Sequence, residues 1–115
     1  LPPVTGDPAR IKQVLLNILD NAAKYGRRGR KIELTSGVDG EYVRVSVRDH
    51  GPGFADEDLP HVKERFYKGR GKERGSGIGL AVCDEIVTRH GGRLVIGNAE
   101  GGGGQVCVEL PIKTQ

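Results

Sequence analysis

Residues 7–25 have the sequence DPARIKQVLLNILDNAAKY, in which apolar side chains recur at helical spacing. These side chains form one continuous stripe, at Ile11, Val14, Leu15, Ile18, Leu19 and Ala22. Asp7 followed by Pro8 is typical of a helix start, because aspartate caps free N–H groups and proline fits the first helical position. The segment therefore predicts a helix from about residue 8 to 25 that buries one face and ends before a loop at 26–29.

The next two segments alternate between apolar and polar residues, which is typical of strands. Residues 31–36 place Ile32 and Leu34 on one side, and residues 42–49 do the same with three valines. The stretch between them, 38–41, contains Asp39-Gly40 and predicts a turn that joins an antiparallel hairpin.

The second half of the chain repeats this arrangement after a long charged segment. Residues 51–75 have weak periodicity and predict a loop with a short helix near 57–66. Residues 77–90 predict a second long helix that ends at Gly91-Gly92, because glycine favours helix termination. Residues 93–97 and 105–111 predict two strands around a glycine turn at 101–104.

This order of elements predicts an α+β fold with two layers, in which helices cover one face of a sheet. The strands come in adjacent pairs, so the chain does not match a doubly wound nucleotide-binding fold. At 115 residues, we expect residues 1–115 to form one domain.

The composition limits the classes of function. Only 4% of residues are aromatic, which predicts a thin aliphatic core that bound ligand would stabilise noticeably. The net charge of +3 permits an anionic ligand without requiring nucleic acid. No apolar run is long enough to span a membrane, and no signal peptide is evident. Cys83 and Cys107 lack metal-ligand spacing, so we expect two buried, reduced thiols in a cytoplasmic protein.

The first helix carries a polar face as well as the apolar stripe. Asn17, Asn21 and Lys24 are spaced i, i+4 and i+7, so they lie on one side of the helix. An amide oxygen is suited to Mg²⁺, and a lysine one turn further on is suited to a phosphate. The alternative is an ordinary solvated helix side.

The hairpin ends in Asp49-His50-Gly51-Pro52-Gly53. An aspartate that follows valines on a strand is expected to be partly buried, and a buried carboxylate needs hydrogen-bond donors. An adenine amino group would supply one, and the glycines would let the backbone approach a ligand closely. The alternative is a strand-ending turn.

A glycine-rich stretch, Gly75-Ser76-Gly77-Ile78-Gly79-Leu80, opens the second helix. Such a helix start binds phosphate through free N–H groups. Its spacing differs from the dinucleotide fingerprint, and there is no P-loop lysine. The preceding Arg65-Phe66-Tyr67-Lys68 and the basic residues up to Arg74 predict a mobile lid over a polyphosphate. Glu64 and Glu73 dilute the charge and argue against nucleic acid as the partner.

Taken in order, these motifs resemble the four boxes of sensor histidine kinases. Residues 17–25 look like the N box, 49–53 the G1 box, 65–68 the F box and 75–80 the G2 box. The match covers about residues 5–111. It implies the Bergerat fold, a two-layer α/β sandwich with a mixed, mainly antiparallel sheet, in which ATP lies between the helices and a flexible lid.

The resemblance also implies roles for individual residues. Asn21 would be the Mg²⁺ ligand, with Asn17 on the same phosphate-facing side. Asp49 would accept the adenine amino group. The other implied nucleotide contacts are Lys24, Tyr25, Gly51, Gly53, Arg65, Lys68, Gly75, Ser76, Gly77, Ile78, Gly79 and Leu80.

The resemblance implies a reaction whose phosphoacceptor is missing from these residues. His50, His61 and His90 do not lie on a long amphipathic helix, so we expect the γ-phosphoryl group to go to a histidine on a dimerisation domain elsewhere in a longer parent chain. Asp20, beside Asn21, is predicted to orient or deprotonate that histidine.

Two alternatives to this function remain open: a serine kinase of an anti-sigma system and a non-catalytic nucleotide-binding or docking module. We expect a monomeric fragment in the cytoplasm with no membrane contact of its own, although the parent would be anchored in a membrane. A response regulator would be the downstream partner.

Overall fold

The computed structural model describes residues 6–25, 31–51, 53–64 and 79–112, and of residues 21–25 it describes the backbone alone. In chain order the elements are α1 (Pro8–Tyr25), β1 (Ile32–Asp39), β2 (Tyr42–Asp49), a short 3-10 turn (Leu59–His61), α2 (Gly79–Arg89), β3 (Arg93–Asn98) and β4 (Gly104–Pro111). The four strands form one sheet in the order β1-β2-β4-β3. Every pairing within these ranges is antiparallel. The predicted α+β arrangement is confirmed.

The first helix begins as the sequence predicts. Asp7 Oδ1 accepts hydrogen bonds from the N–H groups of Ala9 and Arg10, at 3.0 and 3.4 Å. The apolar stripe faces the core, where Val14 and Ile18 are 2% and 1% exposed. The cap and the stripe together explain why α1 follows its predicted bounds.

The second helix ends in a glycine cap that also allows close packing. Gly91 has a φ of 77°, and the N–H of Gly92 donates to the carbonyl of Val87 at 3.0 Å. A Cβ on Gly92 would lie 2.0 Å from the carbonyl oxygen of Glu109, so a side chain has no room there. Glycine at these positions therefore ends α2 and lets β3 approach β4.

His90 joins the end of α2 to the start of α1. Its Nε2 accepts the N–H of Asp7 at 3.0 Å, so Nδ1 carries the proton and donates to the carbonyl of Ile86 at 2.8 Å. One imidazole ring thus links the start of α1 to the last turn of α2.

The two helices cover the sheet unequally. α1 packs mainly on β2, and α2 packs on β3. Leu34 and Val38 of β1 pair with the buried Val47 and Val43 of β2, so they lie on the helix side of the sheet. They are nevertheless 60% and 53% exposed, and among the described residues the main contacts of the helices with the sheet are with β2, β3 and β4.

Two boundaries differ from the sequence prediction. The helix expected near 57–66 is a single 3-10 turn within the described residues, and Pro60 lies in its first turn. Strand β1 continues to Asp39, so the turn is Gly40-Glu41, with Gly40 at a φ of 61°. Pro60 supplies no N–H for a hydrogen bond to an earlier turn, which disfavours a helix that runs through this position from residue 57. Strand β1 lies at the edge of the sheet, where its end does not depend on a regular alternation of apolar and polar residues.

Both cysteines are free and buried, as predicted. Within the described ranges, neither helix combines the length and the apolar character that a membrane span requires.

Candidate functional site

The carboxylate of Asp49 lies at the end of β2 and is 5% exposed. Its Oδ1 accepts the N–H of Gly51 at 2.9 Å and that of Gly104 at 3.1 Å. Among the residues that the structure describes, no donor is bonded to Oδ2. The predicted burial of Asp49 is confirmed. The donors to Oδ1 are main-chain groups, one in the loop that follows Asp49 and the other at the first residue of β4, and the bond from Gly51 is that of a strand-ending turn.

Glycine at position 104 lets the backbone of β4 pack closely against this carboxylate, with no room for a side chain. A Cβ on Gly104 would lie 3.0 Å from Asp49 Oδ2 and 2.9 Å from Cε2 of Phe54. Phe54 is itself buried, at 6% exposed. Gly104 therefore packs against both the Asp49 carboxylate and the Phe54 ring.

The loop after Asp49 is fastened by the last residue of β3. The side-chain amide of Asn98 accepts the N–H of Phe54 at 2.7 Å and donates to the carbonyl of Phe54 at 2.8 Å. Gly53 has a φ of 77°, and a Cβ there would lie 2.6 Å from Asn98 Oδ1. Gly51 and Gly53, both predicted site residues, therefore lie in a loop whose path is set by β3.

The glycine turn between β3 and β4 packs directly behind Asp49. Arg48 donates through Nη2 and Nε to the carbonyl of Gly102, at 2.9 and 3.2 Å. A Cβ on Gly103 would lie 1.8 Å from the main-chain oxygen of Asp49. The sequence predicted a turn here but missed its contact with the site. The run of four consecutive glycines, at positions 101–104, was the available signal.

The polar face of α1 reaches α2 through Asn17. Its side chain is half-buried and lies near the thiol of Cys83, one helical turn after Gly79. Burial raises the pKa of Cys83 to about 11, and the polar side chain of Asn17 opposes this shift. Asn17 thus lies between the two helices, beside the first turn of α2.

The other predicted residues of α1 are located by their backbone or by exposure. Asn21, Lys24 and Tyr25 continue the helix, so the spacing on which their shared face depends is present, but their side chains lie outside the described residues. Asp20 is exposed. In the described ranges no cluster of three or more His, Cys, Asp or Glu side chains could hold a metal ion.

The predicted lid and most of the glycine-rich stretch lie outside the part of the chain that the structure describes. Arg65, Lys68, Gly75, Ser76, Gly77 and Ile78 lie outside the described residues. Gly79 and Leu80 are the first two residues of α2, and the Leu80 side chain packs against the core. A contact between Leu80 and a ligand would therefore come through its main chain.

His50 faces β1 and not the carboxylate beside it in sequence. Its Nε2 lies 3.4 Å from Oε2 of Glu33. The hydrogen bond from Lys31 to Glu33 lowers the pKa of that carboxyl, with a smaller contribution from the charge of His50. His50 thus belongs to a polar cluster at the sheet edge.

Comparison with known proteins identifies a family over almost the whole chain. The model of the family "Histidine kinase-, DNA gyrase B-, and HSP90-like ATPase" matches residues 6–114. The signal transduction histidine-protein kinase BaeS of Escherichia coli is 36% identical over 114 residues, which are 96% of this chain and 24% of BaeS. Sporulation kinase E of Bacillus subtilis is 35% identical over 114 residues, 98% of this chain and 15% of that kinase. The chain thus spans a quarter or less of these relatives.

Solved structures of similar chains support the same family. The mycobacterial sensor histidine kinase MprB superposes with a TM-score of 0.86 at 30% identity, over 97% of this chain and 78% of that one. Full-length ShkA in complex with AMPPNP superposes with a TM-score of 0.83 at 34% identity, over 100% of this chain and 24% of that one.

Proposed function

The chain belongs to the family of histidine kinase-, DNA gyrase B- and HSP90-like ATPases, as the ATP-binding catalytic domain of a histidine kinase, and on this premise we propose that it binds Mg-ATP and donates the γ-phosphoryl group to a histidine on a dimerisation domain of its parent chain. The observation that carries the proposal is the buried carboxylate of Asp49. One of its oxygens is committed to two main-chain donors, and the other has none among the described residues.

The surroundings of Asp49 fit adenine. A carboxylate oxygen beside a bare glycine backbone accepts the amino group of adenine, whereas guanine would present a carbonyl oxygen at the same position and repel it. Gly104 lacks a Cβ, which would lie only 3.0 Å from Oδ2, so no side chain at this position crowds the oxygen. Gly51 and Gly53 would line this base pocket.

We assign the phosphate end of the site to both helices and the lid. Phosphoryl transfer depends on in-line positioning and on neutralising the charge of the phosphates, and bound Mg-ATP supplies the reactive group. In this proposal the amide oxygen of Asn21 holds the metal ion, with Asn17 beside it. Further contacts to the nucleotide come from Lys24, Tyr25, Arg65, Lys68 and the stretch 75–80.

The first test concerns the base pocket. Asp49→Asn should weaken ADP binding at least about tenfold, because the loss of a charge-assisted hydrogen bond costs about 1.5–3 kcal/mol. Titration calorimetry with ADP and GDP measures the effect. Asp39→Asn is the matched control, since Asp39 is exposed at the opposite end of β1. Equal ADP affinity in Asp49→Asn and in the unsubstituted chain would refute the assignment.

The second test concerns Asp20, which we propose orients or deprotonates the accepting histidine. Asp20→Asn in the parent chain should slow phosphoryl transfer by about 100-fold, the order expected for a general base, while ATP affinity stays nearly intact. Single-turnover transfer and nucleotide titration separate the two quantities. Losses of equal size in rate and affinity would exclude this role.

The same transfer assay discriminates among the functions left open. Phosphohistidine is labile in acid, whereas the phosphoserine of an anti-sigma kinase is stable, and a docking module would transfer nothing. We further propose that this chain is one domain of a longer protein that acts in two-component signalling. Its partners would be its own dimerisation domain and a response regulator. It would act in the cytoplasm as a monomeric domain, with the parent anchored in a membrane.

A further inference from the structure

The side chain of Asn98 makes the hydrogen bonds to the loop after Asp49 that a neighbouring strand would otherwise make. Its amide oxygen accepts the Phe54 N–H at 2.7 Å, and its amide nitrogen donates to the Phe54 carbonyl at 2.8 Å. These two bonds reproduce the pair that opposite residues exchange in an antiparallel ladder. A single side chain at the end of β3 thus fixes the main chain at Phe54 in both directions.

This clamp connects to Asp49 through a short series of contacts. Phe54 is held by Asn98, and its ring lies against the backbone of Gly104, where a Cβ would be 2.9 Å from Cε2. The N–H of Gly104 is one of the two donors to Asp49 Oδ1, and the other comes from Gly51 in the clamped loop. Both donors that orient the carboxylate therefore belong to segments that the clamp joins.

We propose that Asn98 is a positioning residue for nucleotide binding, which holds the 51–54 loop against the 101–104 glycine turn and so presets the Asp49 carboxylate for adenine. The inference rests on the proposed function, since it names a further residue of the same site. A preset carboxylate binds its ligand without the cost of ordering two loops. Loosening the clamp therefore lowers affinity for adenine and also the preference for adenine over guanine.

Two substitutions at position 98 test the clamp. Asn98→Leu removes both hydrogen bonds. Asn98→Asp keeps the size and the acceptor but places a second acceptor against the Phe54 carbonyl, so it acts without opening a cavity. Glu100→Gln, at an exposed position two residues away, is the control. ADP and GDP dissociation constants are measured by calorimetry, and exchange of the Phe54 amide hydrogen is followed by NMR.

We expect Asn98→Leu to speed Phe54 amide exchange, because both hydrogen bonds that hold the Phe54 main chain are lost. It should also weaken ADP binding about tenfold and reduce the ratio of the GDP to the ADP dissociation constant. Asn98→Asp should shift all three in the same direction, and Glu100→Gln should shift none. A purely structural role would lower thermal stability without changing the base preference.

Three results would overturn the inference or its premise. Faster Phe54 exchange with unchanged ADP affinity and base preference would mean that the clamp does not serve the nucleotide. Unchanged Phe54 exchange in both variants would mean that the clamp does not hold the loop. Failure of the unsubstituted chain to bind ADP would instead refute the proposed function itself.

Discussion

At the scale of single residues, the buried thiol of Cys83 makes the stability of the fold depend on pH. It is fully buried between the helices, with Sγ 3.6 Å from the carbonyl oxygen of Val14. Because burial raises its pKa to about 11, the folded chain keeps a proton that the unfolded chain releases near pH 9. Its stabilising contribution is therefore complete below pH 9 and declines as the pH rises toward 11.

This raised pKa predicts a measurable alkaline loss of stability. A rise in the Cys83 pKa from 9.0 to about 11 corresponds to about 2–3 kcal/mol in the free energy of unfolding, lost between those two pH values. Urea unfolding followed by circular dichroism at several pH values measures it. Cys83→Ala should lower the free energy of unfolding at every pH. It should also lose the part of the decrease between pH 9 and 11 that comes from the thiol. Parallel slopes in the variant and the unsubstituted chain would show that the thiol is not its source.

Single residues also mark how far the sequence predicts the site. Asp49 is recognisable because a carboxylate directly after a valine strand must be partly buried and must find donors. Asn98 carries no such signal, because one asparagine at a strand end is common and its partner, Phe54, is 44 residues away. Local patterns do not encode such pairs, so only the folded chain reveals them.

At the scale of elements, capping and periodicity explain which predictions are accurate. The bounds of α1 match because Asp7-Pro8 starts the helix and an uninterrupted stripe continues it. The bounds of β1 are less accurate, because its described side chains are mostly exposed and a strand without a strongly buried face has a weakly specified end. Of the short helix expected near 57–66, the described residues up to 64 form a single 3-10 turn, where few apolar residues would stabilise a longer helix.

Elements rather than motifs also bring the two halves of the site together. In sequence, Asp49 and the glycine turn belong to separate hairpins, and the sheet order β1-β2-β4-β3 is what places β2 beside β4. Arg48 pairs with Gln105 in that ladder, so the end of β2 lies next to the start of β4. The motif order therefore identified the residues, and the strand order explains their proximity.

At the scale of the whole molecule, the described core is aliphatic with Phe54 as its one aromatic side chain, and Leu34 and Val38 of β1 are exposed. A small domain with such a core is expected to have a small free energy of unfolding. Phe54 belongs to both the core and the candidate site, because its ring is buried and its main chain is clamped by Asn98. Ligand binding at Asp49 should therefore stabilise the entire fold and not only its loop.

This coupling predicts a large thermal shift on nucleotide binding. A ligand that binds only the folded chain stabilises it by about 2.7 kcal/mol at 100 times its dissociation constant. In a domain of this size that raises Tm by roughly 10 °C or more. Differential scanning calorimetry with and without ADP measures the shift. At the same ADP concentration Asp49→Asn, with binding at least about tenfold weaker, should show a rise of about half this size or less. Asp39→Asn should show an undiminished rise. An equal rise in the unsubstituted chain and Asp49→Asn would mean that ADP binds away from this carboxylate.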